Sequence, residues 1–202
     1  MRVESGPAEA SVYLLRHGKT AWNKERRYIG HTDQPLDIDE LPLLEDAKDQ
    51  LRGAAFTAVY CSDLIRAKQT LLEVRADWIG HAVFDDRLRE LHFGSWEGKT
   101  YEDLSPDPQY SQWLIDQARH APPGGETTDA LHGRIIRFAA DVIDPLRCGL
   151  GVKNDILIVS HGGPVRMLLT YLLPELSFWD LDVPCGSLYK VGLGSGTWTR
   201  LA

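Results

Sequence analysis

Apolar residues follow two rhythms along this chain. Near-continuous runs, SVYLL (11–15), FTAVYC (56–61) and DILIVS (155–160), read as strands buried on both faces. HAVFD (81–85) and SLYKVGL (187–193) add two more strands. Elsewhere the spacing widens to the helical three-four pattern. Leu64, Ala67, Leu71 and Val74 share a face behind Ser62-Asp63, a pair suited to capping the helix start. Leu131, Ile135, Phe138, Ala139 and Val142 form a second stripe, and Val165 to Leu173 a third. Leu43 to Leu51 is also helical in pattern, with Pro42 suited to its first turn. Strands alternating with helices predict an α/β domain: a three-layer sandwich with a mostly parallel central sheet flanked by helices.

The stretch from Glu90 to Glu126 breaks this alternation, being rich in Trp, Pro, Gly and acidic residues. It is read as a small, partly helical cap insertion, about 92–126, over one end of the sheet. Trp96, Tyr101, Tyr110 and Trp113 argue for order there. Their expected role is the cap's own small core, with stacking on a substrate ring as the sharper alternative.

The 202 residues suit one domain, 11–202, behind a polar segment, 1–10, read as a loose tail. No apolar run approaches 18 residues, so no membrane-spanning helix is expected. Cys61, Cys148 and Cys185 are odd in number and scattered, which suits a reducing, cytoplasmic setting better than a disulfide framework. A net charge of −7 argues against nucleic acid and anionic membranes as partners. It also makes any local convergence of cations informative.

Such a convergence is visible. Ligand sites in open α/β sheets collect at the carboxyl ends of strands. The first predicted strand runs into Arg16-His17-Gly18, the second into Cys61-Ser62-Asp63 with Arg66 one turn later, and the third into Ser160-His161-Gly162-Gly163. If these ends are neighbours, two arginines and two histidines meet beside helix N-termini, a setting for a phosphate or phosphoryl group. Taken singly, each of the four has a bland explanation as a structural histidine or a solvated arginine.

Other motifs fall short. GSWEGKT (94–100) lacks one residue of a phosphate-binding loop and follows no apolar strand. Ile158 replaces the first glycine of a nucleophile elbow, making Ser160 a poor nucleophile. Cys61 and Arg66 lack a glycine-rich cradle between them, so Cys61 reads as a packed thiol. His17, His161 and an acid are the only metal set the pattern suggests, and their spacing is unconvincing.

The blocks LLRHGKTAWN, YIGHTDQPL, VYCSDLIRAKQT, RELHFGSWEG, PPGGET and VSHGGPVR occur in this order over most of the chain. Together they resemble the histidine phosphatase superfamily, in its phosphoglycerate-mutase-like branch. The resemblance implies that His17 is the nucleophile that becomes phosphohistidine. Arg16, Arg66 and His161 would surround the phosphoryl group, Asn23, Gly30 and Gly162 would assist its binding, and Glu90 would be the proton donor. No metal or other cofactor is implied. Elementary chemistry agrees, because a nucleophilic imidazole must be neutral and neighbouring cations lower its pKa. Arg16 and Arg66, together with His161 if it is charged, would also offset the phosphoryl charge. Outside the resemblance, Glu90 reads equally well as a solvated carboxylate.

Mutases of this resemblance carry a glutamate–arginine insertion after the acid and a later Arg-Arg pair. Here LHFGSWEG follows Glu90, no Arg-Arg lies between Glu97 and Glu126, and Arg26-Arg27 sits in another loop. A phosphomonoester hydrolase acting on a small phosphorylated metabolite is therefore expected, with α-ribazole 5′-phosphate as the leading substrate. Cofactor-dependent phosphoglycerate mutase and a non-catalytic phospho-ligand binding module are the alternatives. The chain is expected to be a monomer or homodimer. Two departures from the resemblance stand out: Asp39-Glu40-Leu41-Pro42 where a glycine is usual, and Lys19 where Glu or Gln is usual. Lys19 reads as a solvated lysine, or more sharply as added positive potential at a pocket mouth.

Overall fold

The computed structural model describes residues 9–147 and 154–202, so residues 1–8 of the expected tail and Cys148 lie outside the described residues. Six strands form the sheet: β1 Ser11–Arg16, β2 Ala58–Cys61, β3 Val83–Phe84, β4 Ile156–Ser160, β5 Leu188–Gly192 and β6 Trp198–Arg200. Their spatial order is β3-β2-β4-β1-β5-β6. The pairs β1–β4, β4–β2 and β2–β3 are parallel, whereas β1–β5 and β5–β6 are antiparallel. The helices are α1 Ala21–Lys24, α2 Glu45–Leu51, α3 Ile65–Arg75, α4 Tyr101–Leu104, α5 Pro108–Ile115, α6 Thr128–Val142, α7 Asp144–Arg147 and α8 Gly162–Leu172.

The two-residue period of the strands sorts side chains into two cores. Val12, Leu14, Ile156 and Ile158 pack with Leu131, Ile135 and Phe138 of α6 and Val165, Leu168 and Leu169 of α8. Tyr13, Leu15, Leu157 and Val159 face the other way, onto Ala47 and Leu51 of α2 and Ala67 and Leu71 of α3. This is the expected three-layer sandwich. From β1 the chain passes through α2 to β2, and from β4 it passes through α8 to β5. These paths leave on opposite faces and toward opposite sheet edges. The ends of β1 and β4 thus form a topological switch point, where the departing connections leave a crevice.

Several local expectations are corrected. Pro42 lies inside a 3-10 helix, Ile38–Leu44, and α2 begins only at Glu45. Ser62-Asp63 does not cap α3 as expected: Asp63 pairs with Arg89, and the Ile65 N–H is taken by Asp33 Oδ1 at 2.6 Å. A carboxylate from a distant loop satisfies the orphan donor instead. β6 was invisible because all three of its residues are exposed at the sheet edge, leaving no apolar signal. Glu9 and Ala10, read as loose tail, are pinned: Ala10 is buried and its carbonyl accepts Leu193 N–H at 2.9 Å, while Glu9 accepts Ser195 N–H at 2.6 Å.

The cap contains a 3-10 turn, Gly94–Trp96, followed by α4 and α5. Trp96, Tyr110 and Trp113 are buried, and Tyr28 joins them from outside the cap through edge contacts with Tyr110 and Trp113. Tyr110 stacks on Trp113 with ring centroids 5.7 Å apart. These three are the cap's own core, and only Tyr101 of the four expected aromatics is left out of it, 56% exposed.

Candidate active site

Arg16 and Ser160 are register partners in β1–β4, so His17 and His161 are the next residues out on adjoining strands. The His17 N–H extends the ladder by donating to Ser160 O at 2.9 Å. The two imidazoles meet with centroids 4.9 Å apart at 61°. Arg66 reaches them from the first turn of α3, donating through Nε to His161 Nδ1 at 3.2 Å. Its fork is completed by Thr32 O at 3.0 Å and Gly30 O at 2.6 Å. The expected four-residue convergence is present.

These bonds set the tautomers. Nδ1 of His17 lies 2.5 Å from Gly18 O, and a carbonyl can only accept, so Nδ1 carries the proton. Nε2 is left with its lone pair, as a nucleophile requires. His161 Nδ1 accepts from Arg66, so in the neutral ring Nε2–H donates to Ser62 Oγ at 2.8 Å.

Burial keeps both rings neutral. Loss of hydration, then the charges of Arg66 and Arg16, hold His17 well below the usual histidine range. Loss of hydration, then Arg66, His17 and Arg16, do the same to His161. Of the two charge states left open for His161, the neutral one follows, because two guanidiniums in a dry pocket leave no favourable place for a third cation. Arg66 is itself brought down to about 10 by burial, with Glu90 the foremost opposing influence, and it stays charged at neutral pH.

Arg16 donates Nη1 to Val183 O at 2.5 Å, while its buried Nε has no hydrogen-bond partner among the described residues. An unsatisfied buried guanidinium donor beside a histidine pair is a ready anion contact. Gly162 opens α8 directly beneath this group, where a Cβ would lie 3.3 Å from Arg16 Cζ. Glu90 is tied to the same helix start: Oε2 accepts Gly163 N–H at 3.1 Å and Oε1 accepts Leu91 N–H at 3.0 Å.

Two expected binding residues have prior commitments. Asn23 Oδ1 accepts Thr20 N–H at 3.1 Å in a capping box, leaving its amide nitrogen for a ligand. Gly30 offers its carbonyl to Arg66, and a Cβ there would fall 2.2 Å from Leu91 O, so only glycine fits this close approach. Lys19 is not a free pocket cation, since it pairs with Glu40 at 3.3 Å.

The set-aside motifs behave as their chemistry suggested. Ser160 Oγ donates to Leu88 O at 2.7 Å, and burial pushes the Cys61 thiol strongly up. Within GSWEGKT, the Glu97 carboxylate accepts N–H groups from His31 at 2.8 Å and Thr32 at 2.5 Å, organising the loop that holds Arg66. Among the described residues, no three His, Cys, Asp or Glu side chains cluster as metal ligands, and no helix is long and apolar enough to cross a membrane.

Sequence reasoning missed Ser62 and Arg134. Arg134 projects from α6 and donates Nη1 to Arg87 O and Arg89 O, both at 2.6 Å, and Nη2 to Glu90 O at 2.8 Å. Glu126 balances the charge at 2.6 Å. One guanidinium thus holds the backbone that presents Glu90. The available signal was an arginine one turn from Leu131 and Phe138, on the helix's apolar side.

Comparison with known proteins agrees with this geometry. The histidine phosphatase superfamily (branch 1) matches residues 12–202. An adenosylcobalamin/alpha-ribazole phosphatase of Escherichia coli (strain K12) is 31% identical over 179 residues, covering 87% of this chain and 86% of the relative. A probable phosphoglycerate mutase of Yersinia pestis (strain Pestoides F) is 35% identical over 165 residues, covering 80% and 74%. The crystal structure of a putative alpha-ribazole-5′-P phosphatase from Escherichia coli superposes with a TM-score of 0.83 at 28% identity, covering 95% of this chain and 94% of that one. The chain belongs to the histidine phosphatase superfamily, branch 1, and is an enzyme of its phosphatase class.

Proposed function

We propose that this enzyme hydrolyses small phosphomonoesters through a phosphohistidine on His17, with α-ribazole 5′-phosphate as its leading substrate. The observation that carries the reading is the neutral, Nδ1-protonated His17 beside the unpaired Nε of Arg16. Substrate phosphate takes donors from Arg16, with Arg66, the Asn23 amide and the Gly162 N–H around it. His17 Nε2 attacks phosphorus, the ester P–O bond breaks, and Glu90, as general acid, gives a proton to the leaving oxygen. Water then attacks phosphorus, Glu90 takes its proton, and the P–N bond breaks to return neutral His17 and phosphate. Arg16 and Arg66 offset charge on the equatorial oxygens in both steps. His161 acts by aligning Arg66, and a bound dianion opposes the fields that keep this ring neutral.

The α-ribazole assignment draws on the names of relatives with similar length and fold. Hydrolase is preferred over mutase because no Arg-Arg pair occurs in the cap. The sparse, scattered cysteines support action in the cytoplasm. Turnover of p-nitrophenyl phosphate should persist in EDTA and vanish in His17→Ala, and a strict metal requirement would overturn the mechanism. A panel containing α-ribazole 5′-phosphate and 3-phosphoglycerate tests the substrate. Mutase activity stimulated by 2,3-bisphosphoglycerate would replace the hydrolase reading.

A further inference from the structure

A cleft of about 210 Å³ opens between the end of α1 and the start of α4, lined by Asn23, Arg26, Arg27, Tyr28 and Tyr101. It is smaller than the roughly 300–1,000 Å³ of pockets that enclose a whole ligand, so it suits one part of a substrate anchored elsewhere. Asn23 supplies that anchor. Its Oδ1 lies 3.7 Å from Cys185 Sγ, and the next residue, Gly186, donates its N–H to His17 O at 3.0 Å. The cleft therefore begins beside the chain segment carrying the nucleophile.

Its walls differ in how much they have left to offer. Arg27 is engaged by Glu25 and by Gly98 O, and the Tyr28 hydroxyl meets that of Tyr110. Arg26 has an exposed side chain without a hydrogen bond or ion pair among the described residues. It is also the one non-glycine residue there with positive φ, +55°, directly after the C-cap of α1. Its neighbour Arg27 donates its N–H back to Trp22 O at 2.9 Å, a helix-ending arrangement in which glycine usually takes the left-handed position. An arginine at this strained place gives the backbone nothing that glycine would not give better. Tyr101 is the cap aromatic excluded from the cap core, with its ring edge-on to Tyr110 and its outer face in solvent.

We propose that the Arg26–Tyr101 cleft is a leaving-group subsite that stacks a planar heteroaromatic base, as found in a 5′-phosphorylated ribonucleoside or a benzimidazole riboside. An exposed phenol ring and an unpaired guanidinium both stack on flat π systems, and the guanidinium also donates to ring nitrogen or oxygen. A second anionic group fits less well, because Glu25 and Asp103 place negative charge around Arg27 on the same wall. This inference rests on the phosphomonoesterase reading and narrows its substrate class.

The test compares kcat/KM for adenosine 5′-monophosphate and ribose 5-phosphate, which differ in the base. The wild type should favour the nucleotide. Arg26→Gly, which relieves the backbone while deleting the guanidinium, and Tyr101→Ala should each lower the nucleotide-to-sugar ratio by about tenfold, the scale of one exposed stack. Tyr101→Phe should restore the ratio. A wild-type ratio near one, or a ratio unchanged in both deletions, overturns the subsite while leaving the phosphatase reading intact. Turnover of neither ester while p-nitrophenyl phosphate is still hydrolysed overturns the subsite alone, and turnover of none of the three overturns both.

Discussion

Lowering the pH from 7.5 to 5.5 should destabilise the ligand-free enzyme through His17 and His161. Both rings are buried, and desolvation followed by Arg66 holds each well below the ordinary value of 6.5. The folded protein keeps them neutral, while the unfolded chain protonates them below about pH 6.5. The unfolded state then binds more protons, so the contribution is complete above that pH and is lost as the pH falls. One unit below, each histidine costs up to roughly 1–2 kcal/mol, the unfolded chain's cost of giving up a proton, and the pair up to roughly 3 kcal/mol. That is a large share of a typical stability of about 5–15 kcal/mol. Carboxylates also titrate in this range, so the informative quantity is a difference between two proteins. Urea unfolding of the wild type and His17→Asn at pH 7.5 and 5.5, without phosphate, supplies it. The wild type should lose roughly 1–2 kcal/mol more than the variant, and saturating inorganic phosphate should shrink that gap by favouring a protonated ring beside it. Parallel stability curves for the two proteins would refute the claim that His17 is held neutral by its burial and its neighbours.

Arg134→Ala should cost about 3 kcal/mol in urea unfolding, because it strands three carbonyls and the Glu126 carboxylate. Its kcat should fall more than its KM rises, with partial rescue by added guanidinium; a folded variant with normal kcat would exclude the positioning role. Gly163→Ala places a Cβ 2.4 Å from Glu90 Oε1, so the carboxylate must move. Melting temperature should change little, any helix gain from alanine being offset by the displaced Glu90 hydrogen bonds, while kcat drops about tenfold or more. A variant with full kcat would remove Glu90 from the proton-transfer step. Lys19→Glu should leave substrate preference and salt dependence unchanged, because the native lysine is already paired with Glu40. A selective loss of rate on more anionic esters would restore Lys19 to the pocket mouth.

The periodicity of the chain determined the α/β class, five of the six strands, the main helices and the ends at which reactive groups would stand. It could do so because burial on both sheet faces forces apolar runs, and strand ends follow directly from where those runs stop. The block motifs implied, through resemblance, the roles proposed for His17, Arg16, Arg66, His161 and Glu90. Tertiary structure alone decided which strand ends are neighbours, since pairing β1 with β4 brings together residues 144 positions apart. It also decided which nitrogen of His17 is free, that His161 is neutral, that Asp33 rather than Ser62-Asp63 serves α3, and that Arg134 holds the Glu90 backbone. Each depends on hydrogen bonds and desolvation between distant segments, and such interactions leave no local period in the amino-acid order.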